Sequence, residues 1–429
     1  MAQTDRTSRH GAPSSDVVAS TGVLRPGLVL AGILLVAANL RASITVVGPL
    51  LGEVRADLGL SSVVASALIS LPVVCFAVFS PVAPLLARRL GVERTLGLAL
   101  AALTIGIVAR SLPWSGLLWV GTVLLGLAIA TMNVLLPAVL KRDFPRDSGR
   151  LTGLYSAVQS GAAAAASGLA VPIAGMATGG WRTAFGIWAG LALVGLGVFT
   201  PQLRRRAAEL ASSGGSVVAR RGDDRARARL PWRHPLAWQV TLFMGLQSTL
   251  FYSVLTWWPS IEKSHGTSTA TAGFHQALMQ VLGIVGSLGV AALLHGRRDD
   301  QRGLATLLVP LPAVAVVGEL VVPGLAVLWN VLLGLGTGGL IVLALALFGL
   351  RTRHHAQAAA LSGMAQSVGY LLAAAGPILI GMLHDATSSW TAPLVVLLVL
   401  QAVQLVVARA AARPRFLEDG RVERVVGAE

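Results

Sequence analysis

Stretches of about twenty apolar residues recur along nearly the whole chain, and no other feature limits the fold as strongly. Twelve can be counted, at about 27–48, 62–87, 95–112, 116–140, 151–176, 182–200, 237–258, 271–294, 303–322, 326–350, 357–382 and 390–411. Each is long enough to cross a hydrocarbon layer of ~30 Å as a helix. Lipid offers the backbone no hydrogen-bond partner, so a spanning segment of this kind must bond internally and be helical. Composition agrees: 54% of the 429 residues are hydrophobic and 12% are charged, where soluble domains carry ~25% charge. The expected class is an all-α membrane protein with twelve transmembrane helices, embedded in a lipid bilayer.

A net charge of +15 would suit nucleic acid if it were clustered on one surface. It is distributed by topology instead. The loops after spans 2, 4, 6, 8 and 10 hold twenty-one Lys and Arg, among them Arg88, Arg89, Arg94, Lys141, Arg142 and Arg353, against four (Arg55, Arg110, Arg182 and Lys263) in the opposite loops. This is the positive-inside pattern, and it predicts that both termini are cytoplasmic. No nucleic-acid partner is expected. Residues 1–20 lack an apolar core, so the first span is expected to be an uncleaved anchor. The lone Cys75 implies neither a disulfide framework nor a metal cluster, and no cofactor is called for. Arg outnumbers Lys 32 to 2, a bias pointing to a GC-rich bacterium and hence a bacterial cytoplasmic membrane.

The longest polar stretch divides the spans evenly. The expected organisation is a cytoplasmic tail (1–26), a six-helix bundle (27–200), a basic cytoplasmic linker (201–236), a second six-helix bundle (237–411) and a charged tail (412–429). The halves repeat weakly. Leu151-Thr152-Gly153-Leu154 and Leu361-Ser362-Gly363-Met364 are 210 residues apart, and Trp181 and Trp390 are 209 apart. Such a repeat in parallel order predicts two pseudo-symmetric bundles around a midplane cavity. Gly161 to Gly168 in span 5 and Gly334, Gly336, Gly338 and Gly339 in span 10 permit close helix packing. Pro72, Pro81, Pro84, Pro137, Pro172 and Pro377 are points where helices can bend.

Arg41 lies inside the first span. A cation in hydrocarbon costs between ~2.5 and ~17 kcal/mol, and such residues by default face a wet cavity. Snorkelling to the outer interface is the competing explanation. It would require a reach of ~10 Å from six or seven residues inside the helix end, so a cavity-facing role is expected.

Four stretches, in order, carry a family resemblance. They are Asn39-Leu40-Arg41-Ala42-Ser43-Ile44-Thr45 with Gly48-Pro49-Leu50, Asn133-Val134-Leu135-Leu136-Pro137 running to Asp143-Phe144-Pro145, Phe243-Met244-Gly245-Leu246-Gln247-Ser248 with Phe251-Tyr252, and Ala360-Leu361-Ser362-Gly363-Met364-Ala365-Gln366-Ser367-Val368-Gly369-Tyr370. Together these resemble the cyanate/2-nitroimidazole permease family of the major facilitator superfamily, over about residues 30–410. The resemblance implies a secondary carrier of cyanate- or nitroimidazole-like solutes working by rocker-switch alternating access. One departure concerns the loop between spans 2 and 3, where the superfamily places an acidic residue and this chain has Arg88. Arg89 and Gly91 remain. Asp143 offers a substitute carboxylate to the Arg88/Arg89/Arg94 cluster; ordinary cytoplasmic charge explains these residues equally well.

Polar side chains near the midplane are the binding candidates: Arg41 and Thr45, Asn133, Gln159, Gln247 and Tyr252, Gln276 and Gln280, Gln366 and Tyr370. Several share a helix face at i,i+4. Gln and Asn also serve simply to bond neighbouring helices, and Tyr252 also suits an interfacial aromatic belt with Trp257 and Trp258. Adding 210 to Arg41 lands on Phe251, so one half offers a cation and the other aromatic and amide groups. That suits a small, flat, anionic or strongly polar solute. No mid-span carboxylate is evident to balance Arg41. Only His275 and a peripheral Glu319 offer themselves for proton coupling, and facilitated diffusion or anion exchange stays open, so protons or a counter-anion are the candidate co-partners. A broad-specificity drug efflux pump is the alternative within transport, disfavoured by 5% aromatic content and a positive buried charge. A membrane-embedded enzyme would need clustered His, Asp or Glu at depth, and a sensor would carry a soluble signalling domain, so a monomeric, non-enzymatic carrier is expected.

Overall fold

The computed structural model describes residues 26–144, 148–212, 231–294, 300–353 and 355–417. The expected N-terminal tail up to residue 25, residues 213–230 of the linker and the tail beyond 417 lie outside them. The first span comprises α1 (Pro26–Thr45) and α2 (Val47–Leu58), the second α3 (Ser62–Phe79) and α4 (Ala83–Leu90). Then come α5 (Val92–Ser111), α6 (Ser115–Asp143), α7 (Ser148–Met176), and the sixth span as α8 (Trp181–Gly186) and α9 (Trp188–Ser212). The second half has α10 (Pro235–Ser264), α11 (Thr269–Leu294), α12 (Arg302–Leu308) with α13 (Pro310–Val321), a 3-10 turn at Pro323–Leu325 entering α14 (Ala326–Leu350), α15 (His355–Thr387) and α16 (Thr391–Ala411).

Proline and glycine set the punctuation. α2 ends at Gly59, whose φ of 63° is the left-handed geometry of a helix C-cap. Ser61 then caps α3, its Oγ accepting from the Val64 amide. Pro81 and Pro84 fall where α3 gives way to α4, whereas Pro72, Pro172, Pro259 and Pro377 lie within continuous helices. Eleven helical segments are apolar and long enough to span on their own. The twelfth, α10, has 30 residues, ~45 Å of helix, and carries Gln247, Ser248, Thr249, Ser253 and Thr256. All five are buried, because protein rather than lipid surrounds this helix. It also runs to Ser264, well past the end near 258 that hydropathy suggests, and so carries Glu262 into the bundle. Likewise α9 continues through residues 201–212, which the sequence assigns to the linker.

The same packing order occurs twice. α1 packs on α7 and α9 as α10 packs on α15 and α16; α3 packs on α6 as α11 packs on α14; α5 packs on α6 and α9 as α13 packs on α14 and α16. The fold is therefore two pseudo-symmetric six-helix bundles. Glycine makes the closest approaches: Gly126 lies on Pro72 and Cys75 of α3, Gly334 and Gly338 on the backbone of Met279 and Gly283 in α11, and Gly245 on Gly369. A side chain at these positions would displace backbone, the reason small residues sit there.

Two of the basic residues counted with the loops are not loop residues. Arg351 is 1% exposed and donates to the carbonyls of Leu350, Ala411 and Ala412, capping the C-terminal end of α16. Arg110, also 1% exposed, ends α5 with its guanidinium 4.6 Å from the Phe185 ring. Position in a hydropathy profile cannot distinguish such folded-back cations from solvated ones.

The halves meet most intimately at the face opposite the Arg-rich loops. Gly48 of α2 is pressed on the Leu255 carbonyl and the Gln276 amide, Gly381 of α15 on Trp257 and the Ser62 carbonyl, and Gly273 of α11 on the Ser167 carbonyl and Pro49. Asp385 accepts from the Ser62 amide at 2.9 Å and pairs loosely with Arg55 at 3.9 Å. At the other end, α4 packs on α5 and α6 of its own bundle. The bundle is thus closed at the opposite face. Replacing Gly48 by Ala should cost this closed state ~1–3 kcal/mol through overpacking, a roughly fivefold to hundredfold shift in population. Spin labels on exposed Ala56 and Ser264, in a Cys75→Ser background, will report it as growth of the longer inter-label distance.

Candidate functional site

Arg41 points between the bundles. Its guanidinium carbon lies 4.9 Å from the centroid of the Phe251 ring, on α10 of the other half. Arg41 is half-buried, and no ion-pair partner for it is found among the described residues. Its charge acts on Tyr155 of α7, Tyr252 of α10 and Tyr370 of α15. These are all three tyrosines in the chain. Phe251 and Tyr252 meet edge-on at 5.2 Å, and Tyr370 meets Phe76 of α3 edge-on at 5.9 Å. Arg41 thus meets Phe251 of α10 directly, and the three tyrosines lie close enough for its charge to act on them. Tyr155, Phe251 and Tyr370 keep partial exposure, so the space beside Arg41 is a candidate chamber.

The chemistry follows from the stack. A guanidinium lying over a ring is stabilised by ~0.5–2 kcal/mol, while its in-plane N–H donors stay free for a planar acceptor. The phenols add hydroxyls and flat faces. This donor set is complementary in shape and charge to a flat group with acceptor oxygens or negative charge.

The other candidates divide. Gln159 and Gln366 are half-buried one turn from Tyr155 and Tyr370 on the same helix faces, and Gln366 donates to Ser362 Oγ at 2.8 Å. Asn133 is half-buried on α6. Gln280 is buried, its Nε2 lacking a partner among the described residues. Three are spent on structure. Thr45 is 1% exposed and donates to the Ala163 carbonyl, tying α1 to α7. Gln247 is 2% exposed and donates to Ser248 Oγ. Gln276 donates to the Leu255 carbonyl at 2.6 Å and forms part of the seat for Gly48. Asn39, from the same motif as Arg41, bonds the Leu35 and Leu191 carbonyls. Trp257 and Trp258 are each 1% exposed and form no interfacial belt.

The candidates in the basic loops also resolve differently. Asp143 bonds its neighbour Arg142 at 2.6 Å, and Arg142 reaches Glu93 at 2.7 Å. The carboxylate across from α6 is therefore Glu93. Arg89 is exposed, and the side chain of Arg88 lies outside the description. His275 and Glu319 belong to a separate buried cluster. Glu319 is 0% exposed rather than peripheral. His275 Nδ1 lies 2.8 Å from Glu262 Oε2, and His265 Nδ1 3.0 Å from Glu319 Oε1. Glu262 escapes a hydropathy reading because it follows the apolar run. Its helical phase, seven residues after Leu255, was the signal that could have found it.

A family description, Major Facilitator Superfamily, matches residues 33–374. An uncharacterised transporter of Bacillus subtilis, YycB, is 42% identical over 398 residues, covering 92% of this chain and 96% of its own. A 2-nitroimidazole transporter of Escherichia coli is 41% identical over 389 residues, covering 90% and 96%. Among solved structures, a bacterial homologue of the human lysosomal transporter Spinster superposes with a TM-score of 0.72 at 14% identity, covering 92% of this chain and 100% of that one. Thr45→Val should lower thermal stability by ~0.6–1.7 kcal/mol, the range for an interhelical hydrogen bond in a membrane. Unfolding in detergent measures it, and an unchanged midpoint would return Thr45 to the chamber.

Proposed function

The chain belongs to the Major Facilitator Superfamily, and from that premise we propose that it carries a small, flat, polar or anionic solute, of nitroimidazole or cyanate type, by alternating access. One observation carries the choice of solute. Arg41 lies over Phe251 across the two bundles, its charge acts on three tyrosines, and it has no ion-pair partner among the described residues. A nitro group or carboxylate has two coplanar oxygens that match a guanidinium edge. The attached ring stacks on Tyr252 or Tyr370. Gln159, Gln366, Asn133 and Gln280 supply further donors and acceptors.

The basic loops lie in the cytoplasm under the positive-inside rule, in a bacterial cytoplasmic membrane, with both termini on that side. The face sealed by Gly48, Gly381 and Gly273 is then external, and the chamber opens inward. Substrate is released from this arrangement, and rocking the bundles about Arg41 exposes the chamber to the outside. The protein works as a monomer, with no catalytic step; a proton or a counter-anion accompanies the solute.

Purified protein in liposomes should take up 2-nitroimidazole, cyanate or benzoate. Arg41→Gln is expected to slow uptake at least tenfold, ~1.4 kcal/mol or more. Arg41→Lys, which keeps charge but loses the planar fork, should retain part of it. Phe251→Leu should weaken binding about threefold to thirtyfold by removing the cation–π contact. Wild-type uptake of all three solutes by a folded Arg41→Gln protein refutes the proposal.

A further inference from the structure

Beyond the chamber, the second bundle contains a cluster of ionisable groups that solute binding does not use. Glu262, near the end of α10, has a side chain 0% exposed. It takes His275 Nδ1 of α11 on one oxygen at 2.8 Å and Asn330 Nδ2 of α14 on the other at 2.5 Å. Glu319 of α13, its side chain 1% exposed, faces His265, which follows α10 and is 32% exposed. The charges of Glu262, Glu319 and His275 act on one another. Glu319 Oε2 and Asn330 Oδ1 are buried here without a partner among the described residues. A carboxylate oxygen buried without a donor is costly when ionised and is relieved when it carries a proton. Two carboxylates against two imidazoles form a site whose charge balance depends on bound protons.

We propose that Glu262, His275, Asn330, Glu319 and His265 form a proton-binding site in the second bundle, separate from the Arg41 chamber, whose occupancy controls closure of the external gate. The orientation, external rather than internal, rests on the sidedness proposed above. The coupling is mechanical. Glu262–His275 and Leu255–Gln276 are successive cross-links between the same two helices, α10 and α11, seven residues apart on α10. The Leu255 carbonyl and the Gln276 amide are the surface on which Gly48 of α2 is seated. Moving α10 against α11 therefore unseats α2. His265 gives the cluster access to solvent, and a proton arriving there passes to Glu319 through the contact between His265 Nδ1 and Glu319 Oε1. With protons bound, the buried carboxylates are neutralised and the α10–α11 clamp holds. Without them, buried negative charge drives the clamp apart.

Other charged groups border the site without joining it. Lys263 points toward Gly52 and Glu53 of α2. Arg55 and Asp385 pair across the gate, and His384 stacks on Trp390 at 3.8 Å. Of these, Glu53 supplies the control.

The test uses the full-length protein in liposomes, with spin labels at Ala56→Cys and Ser264→Cys in the Cys75→Ser background, and needs no solute. In the otherwise unchanged protein, acidification from about pH 8.5 to about pH 5.5 should raise the ratio of short to long distances roughly tenfold or more, as linkage to at least one proton permits. Glu262→Gln and Glu319→Gln, which imitate the protonated carboxyl, should hold the short distance at both pH values. His265→Gln, on an exposed side chain that does not endanger folding, should reduce the pH response. Glu53→Gln should keep it. A wild-type pH response in Glu319→Gln and His265→Gln overturns the proposal, as does its loss in Glu53→Gln alone. Because no solute is present, failure here leaves the Arg41 chamber standing, and failure of uptake leaves this site standing.

Discussion

Hydrocarbon supplies no hydrogen bonds, and the rest of the structure follows from that deficit. Every polar group placed at depth must find a partner in the protein or face water inside it. Thr104, Thr122, Thr131, Thr256 and Thr337 each return their hydroxyl to the carbonyl four residues back. Arg351 distributes its donors over three helix-end carbonyls. Among the described residues, Arg41 has no ion-pair partner and Glu319 Oε2 no hydrogen-bond donor, as is also true of buried atoms such as Arg110 Nε and Gln401 Nε2; what sets Arg41 apart is its place between the two bundles, over Phe251.

The two bundles are joined by contacts of a particular kind. At the closed face they are close approaches of glycine to backbone carbonyls and to the Gln276, Trp257 and Pro49 side chains, with little room to yield. Such contacts are made fully or lost together, so the interface behaves as a latch rather than a graded cushion. Around Arg41 the contacts are instead aromatic edges and a guanidinium stack, which tolerate rotation and leave donors free. The rigid contacts and the adaptable ones occupy different levels of the same interface. Two bundles can therefore rock about the chamber while the latch opens.

Much of this was legible in the residues. Twelve spans, two related halves, the small-residue stripe of Gly334 and Gly338 and the importance of Arg41 all rest on local chemistry. The offset of 210 even matched Arg41 with Phe251, the ring it lies over. Which polar residues have their donors engaged elsewhere was not legible. Thr45, Gln247 and Gln276 have the depth and polarity of ligand-binding groups, yet each donates to a neighbour. Depth can be read from hydropathy; the partner of a hydrogen bond depends on which helix lies alongside.

Sequence alone determined that this chain lives in a bilayer, as helices, with a cation it cannot leave in lipid, because the free energy of a polar group in hydrocarbon depends on residue type and span length. Tertiary structure decided which groups are spent and which are free. It turned Arg110 and Arg351 into buried structural residues, drew Glu262 into a helix that hydropathy ends too early, and laid Arg41 of one bundle over Phe251 of the other. Those outcomes depend on the packing of α1, α7, α10 and α15 against one another, a property of pairs of helices that no single segment encodes.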